Sequence, residues 1–175
     1  MLDDLPKGFR ASAASCGFKK QGRDDLGLLF SDAPCVYAGM FTQNRFCAAP
    51  VQICKALLAE GRRVRAVVAN SGQANACTGE EGVQNARTCQ SMIARTFGCQ
   101  ENEVLPISTG VIGDQLKMDL WNKGIPMLKE NLGTRDAEGF VRAFMTTDAF
   151  PKFATQDLVL SRGTVRLTVM AKGAG

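Results

Sequence analysis

Hydroxyl and glycine residues that follow a short apolar run offer the first candidate for chemistry. Residues 105–107 (LPI) lead into residues 108–113, which read STGVIG. The hydroxyls of Ser108 and Thr109 can donate hydrogen bonds, and Gly110 can bring a backbone N–H close to a ligand because it has no Cβ. A strand that ends in this way can direct several donors at one point, as stabilisation of an oxyanion during acyl transfer requires. Taken alone, the stretch fits a plain turn better, because Ser, Thr and Gly are common turn formers.

A second stretch of small polar residues follows a predicted buried strand at residues 64–69. Residues 70–79 read NSGQANACTG, and a helix is predicted next. A strand, a glycine-containing loop and a helix are the general layout of an anion-binding site, because unpaired N–H groups gather at a helix start. The specific phosphate motifs GxxxxGK[ST] and GxGxxG are missing. Two interpretations stay open, a phosphate- or nucleotide-binding loop and an internally bonded amide network.

The composition excludes several kinds of chemistry. The 175 residues include no histidine, so Ser-His-Asp catalysis, Cys-His catalysis and imidazole-ligated zinc are impossible within this chain. The seven cysteines are an odd number without a Cys-x-x-Cys pair, which indicates reduced thiols. The formal net charge of +4 gives weak support for anionic substrates, and the lack of a long basic run gives none for nucleic acid. We expect no metal ion and no cofactor.

The sequence also lacks signals for export or membrane insertion. The first four residues, MLDD, are acidic, no apolar signal core follows them, and no apolar run approaches membrane-spanning length. We therefore expect a cytoplasmic protein with no membrane partner. A chain of this length can bury a core of its own, so we expect residues 1–175 to form a single domain.

Hydrophobic periodicity and turn signals predict an α/β fold class. Extended segments or strands are predicted at residues 9–18, 26–30, 35–41, 64–69, 105–107, 153–160 and 164–170, with a turn at 31–34 and a hairpin turn at 161–163. A helix is predicted from Pro50 to Gly61. A second begins after a capping box of Thr78 and Glu81 and ends at Gly98. Two more are predicted at 118–132, with a break at Gly124 and Pro126, and at 137–145.

The end of the sequence is unusual for a domain. Residues 171–175 (AKGAG) follow a half-buried strand directly and consist mostly of small residues. Domains usually close with a polar tail or a docked helix. A partner chain or a continuation that completes the layer is one interpretation, and a disordered terminus is the other.

Seven short motifs stand in an order that one enzyme family shares. They are GRDDL (22–26), FTQN (41–44), AAPV (48–51), NSGQANACTG (70–79), STGVIG (108–113), MTTD (145–148) and AKGAG (171–175). On these motifs the chain resembles, over nearly its whole length, the N-terminal or alpha portion of the bifunctional ornithine acetyltransferase / glutamate N-acetyltransferases of arginine biosynthesis.

The resemblance implies a fold and an assembly. The fold would be a layered αββα sandwich of the ornithine acetyltransferase / DmpA type, similar to Ntn hydrolases and completed by a beta chain. Family members are made as a precursor that cleaves itself before a threonine, eleven residues beyond the lysine that matches Lys172. That threonine becomes the N-terminal nucleophile of the beta chain. This chain would then be an alpha chain whose nucleophile lies elsewhere, in a heterotetramer of two alpha and two beta chains.

The resemblance also implies a reaction and a role for four residues. The threonine uses its own α-amine as base, so no histidine is needed. It takes acetyl from N-acetylornithine and passes it to glutamate, and acetyl-coenzyme A is a further donor that the resemblance allows. Thr109 and Gly110 match the oxyanion hole. Thr146 and Lys172 match substrate-binding positions, where the lysine can face an amino-acid carboxylate. The alternative is a related acyltransferase with a different amino-acid preference.

Overall fold

Four strands form the main sheet, and two more form a separate hairpin. The structure is a computed structural model that describes residues 4–19 and 22–173. In the main sheet β1 (Phe9–Ala14), β2 (Leu26–Cys35) and β3 (Val64–Gln73) are antiparallel neighbours, and β4 (Val104–Val111) runs parallel to β3. The hairpin pairs β5 (Lys152–Leu160) with β6 (Gly163–Ala171). Most of the predicted acidic start and the last two residues of the AKGAG motif lie outside the described residues.

Helices cover both faces of the main sheet. They are α1 (Ala49–Ala59), α2 (Gly79–Phe97), α3 (Met118–Glu130) and α4 (Ala137–Phe144). Side chains of α2 and α3, among them Ile93 and Trp121, pack with Leu28 and Val68 of the sheet. Phe140 of α4 packs on the opposite face in a cluster with Ala11 and Ala69, while α1 packs beside β4. Each fully buried Leu, Ile or Val side chain contributes about 1.5–3 kcal/mol, so these layers hold the strand ends in fixed positions.

Strand β2 is continuous where two strands were predicted. The predicted turn at residues 31–34 belongs to β2, and residues 36–44 are not in a strand. The pairing with β3 shifts register between Phe30 and Cys35, and the Ser31 hydroxyl donates to the Ala33 carbonyl at 2.7 Å. An irregular stretch of this kind tolerates a proline, because no regular ladder bond is lost there. The turn prediction was therefore wrong.

Helix α3 is also continuous, and the predicted break at Gly124 and Pro126 was wrong. Gly124 is buried, and a Cβ at this position would lie 2.7 Å from Leu26 Cδ2, so this glycine permits close packing. Pro126 lies on the exposed side of the helix, and so does Asn122, whose carbonyl loses its helical partner. Water can bond that carbonyl, which makes an interior proline tolerable there.

The predicted capping box at the start of α2 was wrong, although the helix itself is present. The Thr78 hydroxyl donates to Asn75 Oδ1 at 2.7 Å and makes no cap hydrogen bond. The predicted stop at Gly98 is confirmed: this residue adopts the left-handed conformation with φ of 70°. Glycine is favoured there because a Cβ opposes positive φ.

Candidate active site

The predicted oxyanion residues lie at the carboxyl end of β4. Ser71 pairs with Thr109 and Gly72 pairs with Gly110, at a point where the register between β3 and β4 becomes irregular. Gly110 has φ of 134°, and a Cβ there would lie 2.6 Å from the Gln73 nitrogen. Gly110 is exposed and Thr109 is half-buried, so this stretch does not enter the core.

Lys172 joins two of the other predicted site residues. Its Nζ donates to Thr109 Oγ1 at 2.5 Å and to Thr146 Oγ1 at 3.2 Å. Thr109 lies near the end of β4, Thr146 follows α4 by two residues, and Lys172 follows β6 directly. The ends of three elements therefore meet at one ammonium group. Gly110 is next to this ammonium contact, because it follows Thr109 in the sequence.

The polarity of these contacts leaves donors available for a ligand. An ammonium group can only donate, so both threonine oxygens accept, and each hydroxyl hydrogen stays free to bond another acceptor. The third N–H of the Lys172 ammonium group is not used by the two threonines and can also donate to a ligand. The group can therefore bind a carbonyl oxygen or a carboxylate by donation from several directions, as acyl-transfer sites require.

Asp148 holds this group in place, a role that its sequence pattern did not predict. Its Oδ1 accepts from the Gly173 N–H at 2.5 Å and from Lys152 Nζ at 3.1 Å, and its Oδ2 accepts from the Thr146 N–H at 3.2 Å. The side chain is only 1% exposed. One carboxylate thus connects the segment that carries Thr146 to the segment that carries Lys172. Its place in the MTTD motif was the available signal.

The hydrogen bond from Gly173, aided by those from Lys152 and Thr146, holds the pKa of the Asp148 carboxyl far below its usual range, against the opposing effect of burial. Hydrogen bonds to an ionised carboxylate favour the charged form. Asp148 is therefore an anion at every pH near neutrality, and it accepts at both oxygens.

Residues 70–79, the other candidate stretch, form the internal amide network. Asn70 and Gln73 are in β3, and Gln73 Nε2 donates to the Gln115 carbonyl while its Oε1 accepts from the Lys117 N–H. Asn75 Nδ2 donates to the Gly82 carbonyl at 2.9 Å. The Gln73 and Asn75 side chains are engaged in holding the loop, which favours the internal amide network over a nucleotide-binding loop.

A buried carboxylate positions the segment that faces the site from β1. Asp25, from the GRDDL motif, is fully buried and accepts the N–H groups of Cys16, Gly17 and Lys19 at 2.7, 3.0 and 3.0 Å. Its own carbonyl accepts the Ser71 N–H at 2.9 Å. The segment at residues 16–19 is thereby tied to the loop beside Gly110.

Two buried cysteines, Cys16 and Cys54, are poor candidates for a nucleophile. All seven are unpaired. Burial, with a contribution from Asp25, raises the pKa of the Cys16 thiol to about 12, and burial raises that of Cys54 to about 11. Such thiols stay protonated at neutral pH, and the protonated form is a poor nucleophile. Within residues 4–19 and 22–173, no cluster of three or more potential ligands could hold a metal ion, and no helix is long and apolar enough to cross a membrane.

Comparison with known proteins identifies the family. The model of the ArgJ family matches residues 10–175. The chain belongs to the ArgJ family. It is 53% identical over 170 residues to the arginine biosynthesis bifunctional protein ArgJ of Nitratidesulfovibrio vulgaris, and 44% identical over 171 residues to that of Chlorobaculum tepidum. Each alignment covers 97% of this chain but only 43% and 42% of those ArgJ proteins. The chain thus spans less than half of their length.

Solved ArgJ structures have the same fold. ArgJ of Bacillus halodurans superposes with a TM-score of 0.88 at 34% identity, covering 97% of this chain and 88% of that one. Ornithine acetyltransferase of Mycobacterium tuberculosis, solved in complex with ornithine, gives 0.87 at 36% identity, with 98% and 91% covered. The predicted fold class, an α/β layered sandwich of the ornithine acetyltransferase type, is confirmed.

Proposed function

We propose that this chain is the alpha part of an acetyltransferase that moves acetyl from N-acetylornithine to glutamate in arginine biosynthesis. The observation that carries the proposal is the position of the Lys172 ammonium between the hydroxyls of Thr109 and Thr146. Membership of the ArgJ family and the likeness to an ornithine acetyltransferase solved with ornithine support it. The internal bonding of residues 70–79 weighs against a nucleotide-binding function.

The proposed chemistry uses a nucleophile from outside these 175 residues. The N-terminal threonine of a beta chain attacks the acetyl carbonyl, and its α-amine takes the hydroxyl proton. The Thr109 hydroxyl and the Gly110 N–H donate to the oxyanion that forms. The C–N bond then breaks, the proton passes to the leaving amine of ornithine, and an acetyl-threonine ester remains. Glutamate's α-amine attacks that ester and releases the threonine.

Lys172 and Thr146 have a binding role in this scheme. The third N–H of Lys172 bonds the α-carboxylate that N-acetylornithine and glutamate have in common. The Thr146 hydroxyl, oriented by the ammonium, donates to the same ligand. Both substrates can then present their reacting atoms at the same place.

The assembly and location belong to the same proposal. Residues 1–175 form one domain of a self-cleaved precursor, and a beta chain from that precursor completes the site in a heterotetramer of two alpha and two beta chains. The two solved ArgJ chains, of which 88% and 91% are covered, support a chain of this kind. The unpaired cysteines support the reducing cytoplasm as its compartment.

Transfer of labelled acetyl tests the proposed function. The assembled enzyme, given N-acetylornithine with an isotopically labelled acetyl group and unlabelled glutamate, should yield labelled N-acetylglutamate and free ornithine. Parallel reactions with other acceptor amino acids and with acetyl-coenzyme A as donor define the specificity. Efficient transfer only to a different amino acid would favour the related acyltransferase, and absence of any transfer would reject the function.

A further inference from the structure

A groove of about 420 Å³ opens beside the candidate site. Thr146 and Asp148 line it together with Met145, Ala149 and Pro151 from the segment after α4. The other wall comes from the segment before β2 and from α4, and it carries three cations and one carboxylate. These four residues are Lys19, Arg23, Asp24 and Arg142. The groove is thus continuous with the proposed substrate site and is strongly polar.

Ion pairing neutralises part of this wall. Arg142 pairs with Glu138 of the same helix, and Asp24 Oδ2 lies 3.5 Å from Arg135 Nε. Asp148, at the site end of the groove, is engaged by Lys152. Three of the charged groups that line the groove are thereby paired with an opposite charge: Arg142 with Glu138, Asp24 with Arg135, and Asp148 with Lys152.

Lys19 and Arg23 keep their positive charge toward the groove. Lys19 Nζ lies 3.3 and 3.4 Å from the backbone carbonyls of Asp24 and Arg142, which are neutral acceptors. Arg23 is exposed and has no ion pair or hydrogen bond to any residue in the described ranges 4–19 and 22–173. The nearest anion on the Lys19 segment, Asp25, is buried beneath it and accepts three backbone N–H groups.

Lys19 is electrostatically coupled to the site. Burial lowers the pKa of Lys19, and the neighbouring charges of Arg23 and Lys172 lower it further, against the attraction of Asp25 and Asp24. A lysine whose charged form is disfavoured by burial gains from an added anion. Lys19 and Arg23 therefore extend the positive field of Lys172 along the groove.

We infer that Lys19 and Arg23 bind the side-chain carboxylate of an acidic amino-acid acceptor, and so select glutamate at this site. The inference rests on the proposed function. Donor and acceptor both carry an α-carboxylate, which Lys172 can bind. They differ at the far end of the side chain, where ornithine has an ammonium group and glutamate a carboxylate. Two cations that make no ion pair with the described residues, in a groove that adjoins Lys172, attract the second group and repel the first.

Steady-state kinetics of the assembled enzyme tests this inference. Arg23→Gln should raise KM for glutamate roughly tenfold, the effect of losing one hydrogen bond to a charged group. KM for N-acetylornithine should not rise. The ratio of kcat/KM for glutamate over glutamine should fall by a similar factor, because glutamine offers no charge to these cations. Arg23→Lys should keep most of the wild-type ratio.

A second groove variant and a charge-matched control complete the experiment. Lys19→Gln should also raise KM for glutamate and lower the glutamate-to-glutamine ratio. If loss of the Lys19 contacts disorders its segment, the Arg23 variants decide the test. Arg162→Gln, in the turn between β5 and β6 and outside the groove, removes the same charge and should leave the glutamate-to-glutamine ratio unchanged.

The possible outcomes separate this inference from the proposed function. If the wild-type enzyme transfers acetyl and the Arg23 and Lys19 variants keep its glutamate-to-glutamine ratio, the role of these two cations is rejected and the proposed function stands. Equal rises in KM for both substrates would also reject that role, since they would indicate general disruption. A wild-type enzyme that moves no acetyl from N-acetylornithine would reject the function itself.

Discussion

At the residue scale, the main feature of the candidate site is the Lys172 ammonium group, which donates hydrogen bonds to two threonines from different parts of the fold. The threonine oxygens accept from the ammonium and keep their hydrogens for a ligand. The sequence, through family resemblance, pointed to Thr109, Gly110, Thr146 and Lys172, and the structure brings the three side chains together. It could not point to Asp148 as their support, because Gly173 lies 25 residues further along the chain.

Removing the Thr109 hydroxyl should impair the chemical step. We expect Thr109→Ala in the assembled enzyme to lower kcat for acetyl transfer roughly 10²–10³-fold, or about 2.7–4 kcal/mol, which is the effect of losing one oxyanion donor. Steady-state turnover with saturating substrates measures this. Thr109→Ser keeps a hydroxyl and should retain most of the activity. Unchanged turnover in the alanine variant would remove Thr109 from the mechanism.

Removing the Lys172 charge should impair binding more than chemistry. We expect Lys172→Met to raise KM for N-acetylornithine more than it lowers kcat, because the contact with the carboxylate exists both before and during the reaction. Lys55→Met, on the exposed side of α1, serves as the charge-matched control. A variant with normal KM and a greatly reduced kcat would show that Lys172 does not hold the substrate.

Removing the Asp148 charge should loosen the site and lower stability in a pH-dependent way. The folded state depresses the pKa of Asp148, so the stabilisation is fully present above the unfolded pKa of about 4 and is lost as pH falls below that value toward the folded pKa. We therefore expect Asp148→Asn to reduce kcat/KM roughly tenfold at neutral pH and to lower Tm. The Tm difference from wild type should shrink below about pH 4.

Thermal unfolding from pH 3 to pH 7 measures this difference. Asp32→Asn is the control, because its carboxylate pairs with Arg10 at a site where the side chain is 53% exposed. Exposed pairs of this kind contribute about 0–1 kcal/mol. A Tm difference for Asp148→Asn that is constant over the pH range would contradict the role assigned to the charge.

At the scale of elements, the sequence predicted the existence of helices and strands better than their limits. Periodicity located α1, α2 and α4, because each buries a regular stripe of apolar residues. It also located the β5–β6 hairpin from alternating apolar residues, although this chain leaves most of them exposed and the half-buried strand that was predicted there is not buried. It failed at residues 31–34 and at Pro126, where turn formers occur inside a strand and a helix. Both exceptions depend on tertiary surroundings, an irregular sheet register and an exposed helix side, which no local pattern reports.

The close approach of β3 and β4 beside the site gives an element-scale prediction. Gly110→Ala adds a Cβ 2.6 Å from the Gln73 nitrogen at a positive φ, so the end of β4 must move. We expect this variant to lose at least tenfold in kcat, measured in the assembled enzyme. Gly113→Ala has positive φ but open space around its Cβ, so it measures the cost of φ alone. Equal behaviour of the two variants would contradict the packing argument.

At the scale of the whole molecule, the β5–β6 hairpin exposes an apolar surface. Leu160, Val165, Leu167 and Val169 share one face and are 54%, 46%, 51% and 53% exposed. Cross-strand contacts hold the hairpin, including the facing pairs Thr155 with Thr168 and Asp157 with Arg166. Surfaces of this kind mark interaction sites or cause aggregation.

We expect the isolated chain to self-associate through this hairpin. Replacing Val165 and Leu167 together by threonine keeps β-branched or strand-compatible side chains on the apolar face and should shift the isolated chain toward monomer in sedimentation velocity. Val36→Thr changes a residue that is 84% exposed outside the hairpin and should leave association unchanged. If the Val36 variant has the larger effect, the hairpin is not the associating surface.

The contacts of Lys172 span long stretches of the chain, 63 residues to Thr109 and 26 to Thr146. Contacts between distant segments form late, because the loops between them must close first. The three side chains can therefore meet only after the main sheet and the hairpin have docked. We therefore expect helical circular dichroism to recover during refolding before these three side chains meet, so that ligand binding by the assembled enzyme, and not circular dichroism, measures the competent fraction.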